Sequence, residues 1–340
     1  MSYIVLTSMP GADLAARWND LVRDASLPTH YVTPNYFTDP YVRGERFAVL
    51  AVGGDGTINA ALTGIKTEDG VVSGMFSRPQ MVFRRGVDRE KAAAELLAGM
   101  SEIAGSSAKL IELYAWEPMS EFATVGLSSR ESNDTTSVVM LDLAAGADAV
   151  FAGFSQTRRN EIRKGIKQGM VEIKQLETDR ELAEIYQIHC DWNARKGHAP
   201  DTHEQMRTAV GQTGNRRVFI AKVDGKVVAG SFYRFCPGGV VEYAANFSMP
   251  EYQKLRPNDL IGWHAIKWAC ESGFSHFSMG GSHLFLRRFG GEIVRTYRYR
   301  KDLSTFKMHD IRERVREIGA GAFRRLPTNV RDSVRKVLAR

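Results

Sequence analysis

The chain has 340 residues, of which 43% are hydrophobic and 25% charged, and a formal net charge of +7. That composition excludes a disordered polymer, and the length suits two domains of about 150 residues better than one core. No apolar run approaches the roughly 18 residues a membrane-crossing helix needs. Met1–Pro10 has no basic flank before its short apolar stretch, so the expected location is cytoplasmic, with no secretory leader.

In chain order, 12–25 reads as a short helix. Phe47–Val52 is an apolar strand, Gly53-Gly54-Asp55-Gly56 a turn, and Thr57–Ile65 the returning strand, since Asp-Gly after a strand signals a hairpin. Glu68-Asp69-Gly70 is a second turn before a strand at 71–76. A helix over 88–103 and strands at 109–116 and 137–143 complete the first half. In the second half, 157–169 is a basic helix ended by Gly169, followed by a strand at 171–176 and helices at 179–196 and 202–210. A hairpin at 217–235 turns at Asp224-Gly225, and 240–247 is the next strand. Asn258 is the expected cap of a helix running to Ser272, and 276–279 is a last strand. The halves repeat an order of elements, not a sequence.

Three cysteines, Cys190, Cys236 and Cys270, are far apart and lack Cys-x-x-Cys spacing, which excludes a disulfide framework and a zinc knuckle. His189, His198 and His203 lie near Cys190 but match no tight metal signature, and no metal is expected. From Leu284 to Arg340 there are 16 Lys and Arg against six Asp and Glu, so the rest is mildly acidic. The tail is amphipathic: Ile311, Val315 and Ile318 recur at helical spacing, as do Val330, Val334 and Val337 beyond Pro327. Such a tail fits an anionic partner (tRNA, a nucleotide-linked substrate or a membrane surface) or a solvated basic helix.

The segment Gly53-Gly54-Asp55-Gly56-Thr57-Ile58-Asn59 is similar to a nucleotide-binding signature of diacylglycerol and NAD kinases. A motif counts only in its context. The partner segments of those kinases, Asn-Pro earlier and Gly-Thr-x-Asn-Asp later, are missing, so a hairpin turn is the preferred reading.

Three other stretches resemble the FemAB family of the GNAT superfamily. They are Arg158-Arg159-Asn160-Glu161-Ile162-Arg163-Lys164-Gly165; Arg256-Pro257-Asn258-Asp259-Leu260-Ile261-Gly262-Trp263, continuing to Met279-Gly280-Gly281-Ser282; and Leu286-Arg287-Arg288-Phe289-Gly290-Gly291. They cover Phe151 to about Leu303. The first half is similar only in element order. The resemblance implies an α/β fold with mixed sheets: two GNAT-like lobes, at 1–147 and 148–307, and a basic C-terminal helical tail at 308–340 whose first helix packs back on the first lobe. It implies an acyltransferase that needs no cofactor besides its donor. That donor is aminoacyl-tRNA, or acyl-CoA in relatives, and the acceptor is an amine or hydroxyl of an envelope precursor or small metabolite.

Such transfer needs deprotonation of a nucleophile, stabilisation of an oxyanion and register between two substrates. In the family, a lysine ahead of the Phe-Gly pair is the expected oxyanion stabiliser, and Arg287 takes its place here. Arginine keeps the charge but offers a rigid fork. Glu242, mid-strand beside Tyr243, stands where GNAT enzymes often place a base, and partial burial would raise its proton affinity. Acetyl-CoA enzymes of this type carry a glycine loop before the third helix. Here Gln253-Lys254-Leu255-Arg256-Pro257-Asn258 has no glycine and a proline. That leans away from acetyl-CoA and leaves Lys254, Arg256 and Asn258 as donor contacts. Arg159, Arg163 and Lys164 on one helix, and Arg195-Lys196 ending another, could hold an acceptor diphosphate or simply face solvent.

Three functions follow: aminoacyl transfer from tRNA, an acyl-CoA-dependent N-acyltransferase in surface polysaccharide or lipid modification, or a non-catalytic GNAT-like protein bound to RNA or to the inner membrane surface.

Overall fold

The structure is a computed structural model that describes residues 2–325. The strand β1 (Tyr3–Leu6) leads into α1 (Ala12–Asp24), then through 3-10 turns at His30–Val32 and Pro34–Thr38 into β2 (Glu45–Val52), β3 (Ile58–Thr67), β4 (Gly70–Ser73) and β5 (Met81–Phe83). Next come α2 (Arg89–Ala104), β6 (Leu110–Ala115), α3 (Ser120–Thr124), β7 (Ser128–Glu131), β8 (Val138–Asp142), α4 (Gly146–Ala152) and α5 (Gln156–Gln168). The second half holds β9 (Glu172–Gln175), α6 (Asp179–Lys196), α7 (His203–Gly211), β10 (Arg216–Val223), β11 (Lys226–Phe235), β12 (Val240–Ser248) and α8 (Pro257–Glu271). It closes with β13 (His276–Ser278), α9 (Leu284–Arg287), β14 (Glu292–Val294), β15 (Tyr297–Asp302) and α10 (Met308–Arg325).

These make two mixed sheets. The first runs β1-β2-β3-β4-β6-β15-β7 with β5 also on β3; the second runs β14-β8-β13-β12-β11-β10-β9. Each has one parallel pair, β4 with β6 and β12 with β13. A parallel pair needs a crossover, and α2 and α8 supply it. The repeated element order is therefore a repeated supersecondary unit. Leu96 and Met100 of α2 pack on Phe47 and Val49, and Gly99 is there because a Cβ would lie 2.4 Å from Val49. On the second sheet, Ile261, Ala265 and Ile266 of α8 bury against Phe219, Tyr233 and Val241, together with Trp263 and Trp268. Leu182, Ile185 and Ile188 of α6 cover the opposite face.

The two sheets exchange strands between the stretches 1–147 and 148–307, and α10 begins at Met308. β8 lies in the first stretch yet pairs with β13 and β14, and β15 returns to lie between β6 and β7. The reason is edge chemistry: β6 and β13 each need an antiparallel neighbour, and the chain supplies it from the other half. Gly53–Asn59 is the β2–β3 turn, closed by Gly53 N–H to Thr57 O (2.8 Å), with Asp55 accepting from Thr57 N. Asn258 is not the cap of α8; the helix starts at Pro257, and Arg256 precedes it in the left-handed region (φ 57°). Gly169 ends α5 at φ 63°, as its lack of a Cβ permits. The expected pattern of Val330, Val334 and Val337 beyond Pro327 falls outside the described residues.

Candidate active site

β12 pairs with β11 along its length, with a bulge where Phe232 and Tyr233 face Ala245 and Tyr243. On its other side it meets β13 only at Val240–Glu242. From Tyr243 onward that edge has no strand partner among the described residues, and the bulge bends it away from β13. Gly280 (φ 69°) lets the following loop lie on the edge, because a Cβ there would sit 2.5 Å from Tyr243 O. The result is that β12 and β13 part beyond Glu242, with the Gly280 loop lying against Tyr243.

The open edge ends at the start of α8. Asn258 Nδ2 donates to Ser248 Oγ (3.2 Å), Arg256 pairs with Glu161 (2.9 Å), and Lys254 is exposed beside them. Asn258 Oδ1 is buried without a partner. Arg195, read from sequence as an acceptor contact, reaches Ser248 O (3.4 Å) and so joins this group. Asn258 and Arg195 thus both reach Ser248, at the end of β12. Behind them Arg158 pairs with Asp259, both almost fully buried, with its guanidinium 4.5 and 4.4 Å over the rings of Phe285 and Phe289. Burial pushes its pKa down to about 10. The pair fixes α5 to α8.

Glu242 and Tyr243 point to opposite faces of β12, as successive strand residues must. Tyr243 lies half-buried beside Tyr233, and burial raises its pKa well above the usual phenol value, so it keeps its proton. The rise in proton affinity expected for Glu242 is not found. Burial pushes it up, but Arg234 and Arg78 more than reverse this and leave it below the ordinary value. Its Oε1 lies 2.8 Å from Arg234 and 2.6 Å from Arg78, and the residue is 4% exposed. A carboxylate held by two guanidiniums is a poor base.

Arg216, Arg234 and Glu242 are register partners across β10, β11 and β12, a charged row that α6 leaves uncovered. The first lobe covers it. Asp39 pairs with Arg216 (2.7 Å) and His30 (2.8 Å), and Arg78 reaches Glu242. Burial outweighs Asp39 and lowers the pKa of His30, which stays neutral. Three guanidiniums against two carboxylates leave one positive charge between the lobes. Beside this row lies a cavity of about 240 Å³ walled by Tyr31, Tyr36, Tyr41, Arg78 and Arg234, with exposed Arg43 at its rim. Sequence reasoning missed it, because the segment 29–43 has no periodic pattern. The signal was Arg234 and Glu242, two opposite charges inside apolar strands.

The other candidates are placed differently. Arg287 is exposed and donates from Nε to Ser282 O and from Nη2 to Asp134 O (3.0 Å), tying the loop after β13 to the turn before β8. Its fork is engaged by backbone, which corrects the picture of a free oxyanion donor. Arg159 is likewise held by the carbonyls of Ala152 and Phe154. Arg163 lies over the Phe151 ring (5.4 Å) and Lys196 near Trp192 (6.0 Å), while Lys164 is exposed. His189 is buried with Asn193 (3.1 Å) and accepts from Asp201 N (2.9 Å). Among the described residues no group of His, Cys, Asp and Glu could hold a metal ion.

Residues 152–298 match the family described as acetyltransferase (GNAT) domain, the stretch that holds α5, β12, α8 and β13. That stretch, a little under half of the chain, is similar to the acyl-transferring domains of the GNAT superfamily. The fold of the whole chain, with its two mixed sheets, has solved counterparts. It is similar to that of FemX (TM-score 0.67, 14% identity, 88% of this chain and 97% of that one). It is also similar to the C-terminal domain of a putative lysylphosphatidylglycerol synthetase from Agrobacterium fabrum (TM-score 0.58, 14% identity, 86% and 93%). A tandem GNAT protein from the clavulanic acid biosynthesis pathway shares it too (TM-score 0.52, 14% identity, 89% and 99%). No curated protein matches the sequence.

Proposed function

We propose that the protein moves an aminoacyl group from aminoacyl-tRNA to an amine of an anionic cell-envelope precursor, at the cytoplasmic face of a membrane. The observation that carries the reading is the edge of β12, which ends beside the start of α8, where Lys254 and Arg256 precede the helix and Arg195 reaches in from α6, in place of the glycine loop that would suit coenzyme A. Cations at that end suit the phosphates of a tRNA 3′ terminus. FemX and the lysylphosphatidylglycerol synthetase domain share the fold, which is consistent with this reading.

The acceptor enters through the cavity between the lobes, where the residual positive charge and the tyrosine walls favour an anion with a planar or sugar part. Its amine nitrogen attacks the ester carbonyl carbon. The bond to the terminal ribose oxygen breaks, Tyr243 protonates that oxygen, and the amine's own proton returns to the tyrosine through water. Arg287 holds the loop that closes the gap. The second reading, an acyl-CoA donor in polysaccharide or lipid modification, keeps the same gap but needs a pyrophosphate at Pro257, which has no N–H to offer. Incubation with tRNA charged with labelled amino acids, and separately with acyl-CoAs, decides between them. Retention and transfer of the tRNA-borne label is expected. Thermal stabilisation by coenzyme A without tRNA binding overturns the reading.

A further inference from the structure

Thirteen large apolar side chains are exposed among the described residues, and six of them fall between Leu303 and Ile318. Four sit on α10: Met308 (40%), Ile311 (46%), Val315 (63%) and Ile318 (72%). Their spacings of three, four and three residues put them on one face of the helix. Phe306, 84% exposed at φ 57°, stands just ahead of them.

An ordinary surface helix turns its apolar stripe inward. This one does the reverse. It is held to the first lobe by its acidic side: Glu313 accepts from Arg298 (2.6 and 2.8 Å), Arg300 (2.5 Å) and Arg130 (2.6 Å). Asp310 is anchored through its backbone N–H on Asp302 (2.8 Å). The carboxylate of Glu313 is neutralised inward, while Arg312 and Arg314 remain exposed on the flanks of the stripe.

We infer that α10 docks the protein on an anionic lipid surface, with Met308, Ile311, Val315 and Ile318 entering the headgroup boundary and the arginines meeting lipid phosphates. Charge complementarity selects this occupant. The outward face carries apolar and cationic groups, and α10 has five arginines against three acids, one of which, Glu313, is neutralised inward. That is the composition of an interfacial helix. No helix of the described chain is long and apolar enough to cross a membrane. The inference rests on the proposed function only for its location at a membrane, and it supplies the surface that would bring the enzyme to a lipid-linked acceptor.

The test is flotation of the full chain with vesicles of phosphatidylcholine alone and with added phosphatidylglycerol, at low and high salt. The wild type should float with the anionic vesicles, more weakly as salt rises. The triple variant Ile311→Asp, Val315→Asp, Ile318→Asp should lose partitioning by on the order of a hundredfold with its melting temperature unchanged, since these side chains are exposed. A wild type that stays in the aqueous fraction, or a triple variant that floats equally, overturns the inference. So does a stripe that mediates a dimer, split by the triple variant, without vesicle binding. Transfer to a water-soluble acceptor separates the two claims. Its loss in both proteins sinks the proposed function alone, and its retention without flotation sinks the docking alone.

Discussion

Replacing Glu242 with glutamine distinguishes a catalytic base from an electrostatic keystone between the lobes. The side chain is almost wholly buried and its Oε1 serves both Arg234, 7% exposed, and Arg78, 26% exposed. Glutamine keeps the shape and removes the charge, so one fully buried and one partly solvated guanidinium lose their counter-ion. Breaking a buried pair costs several kcal/mol; discounting the solvated partner leaves about 2–4 kcal/mol. For lobes of this size that lowers the melting midpoint by about 4–16 °C. Glu242 has a depressed pKa in the folded chain, so its contribution is full above the ordinary carboxylate range and fades as pH falls through the folded value. The gap between wild type and variant should therefore narrow in acid. Thermal and urea unfolding across pH measure it. A cycle with Arg234→Gln should show coupling of at least about 1 kcal/mol. A variant with wild-type stability and no turnover would show that the residue is the base and that the reasoning here is wrong.

Lys254→Ala and Arg256→Ala should each weaken tRNA binding and reduce its salt slope by about one; an unchanged slope would place the phosphates elsewhere. Tyr243→Phe should lower kcat by about 10²-fold or more with little change in KM if the phenol protonates the leaving oxygen. An equal effect on stability alone would make it a packing residue. Arg287→Ala removes two hydrogen bonds to backbone from an exposed side chain, so a loss of about 1 kcal/mol in stability and less than tenfold in kcat is expected. A loss of 10²–10³ in kcat, restored by lysine, would return it to the oxyanion role.

The helices and hairpins were legible because each is set by local pattern. Thr178 and Glu181 form a capping box that opens α6, and Asp224-Gly225 turns β10 into β11. The start of α8 was legible for the same reason, although its first residue is Pro257 and not one past Asn258. What the pattern could not carry is pairing at long separation. Glu242 and Arg78 are 164 residues apart, and Glu242 looks like a base until the second guanidinium is in place. The backbone carbonyls that occupy Arg287 and Arg159 have no signature in a sequence at all. The inverted helix α10 was visible as an amphipathic stripe, but its direction depends on Glu313 finding Arg298, Arg300 and Arg130 on the first sheet.

The exchange of β8 and β15 bears on how such a site can work. A hinge between two independent lobes could open the acceptor cavity widely, at the cost of separating Arg78 from Glu242 and Asp39 from Arg216. Here each sheet contains a strand from the far side of the chain, and the buried ion pairs cross the same boundary. Opening would expose three guanidiniums and two carboxylates and also strain the strands that lace the sheets. The geometry favours a cavity that is largely pre-formed, with access governed by the rim at Tyr41 and Arg43 and not by lobe separation. Selectivity for the acceptor then resides in the fixed charge between the lobes. On the proposed function the donor side differs, because the loop beside it is held by Arg287 to the turn before β8 and not by buried ion pairs.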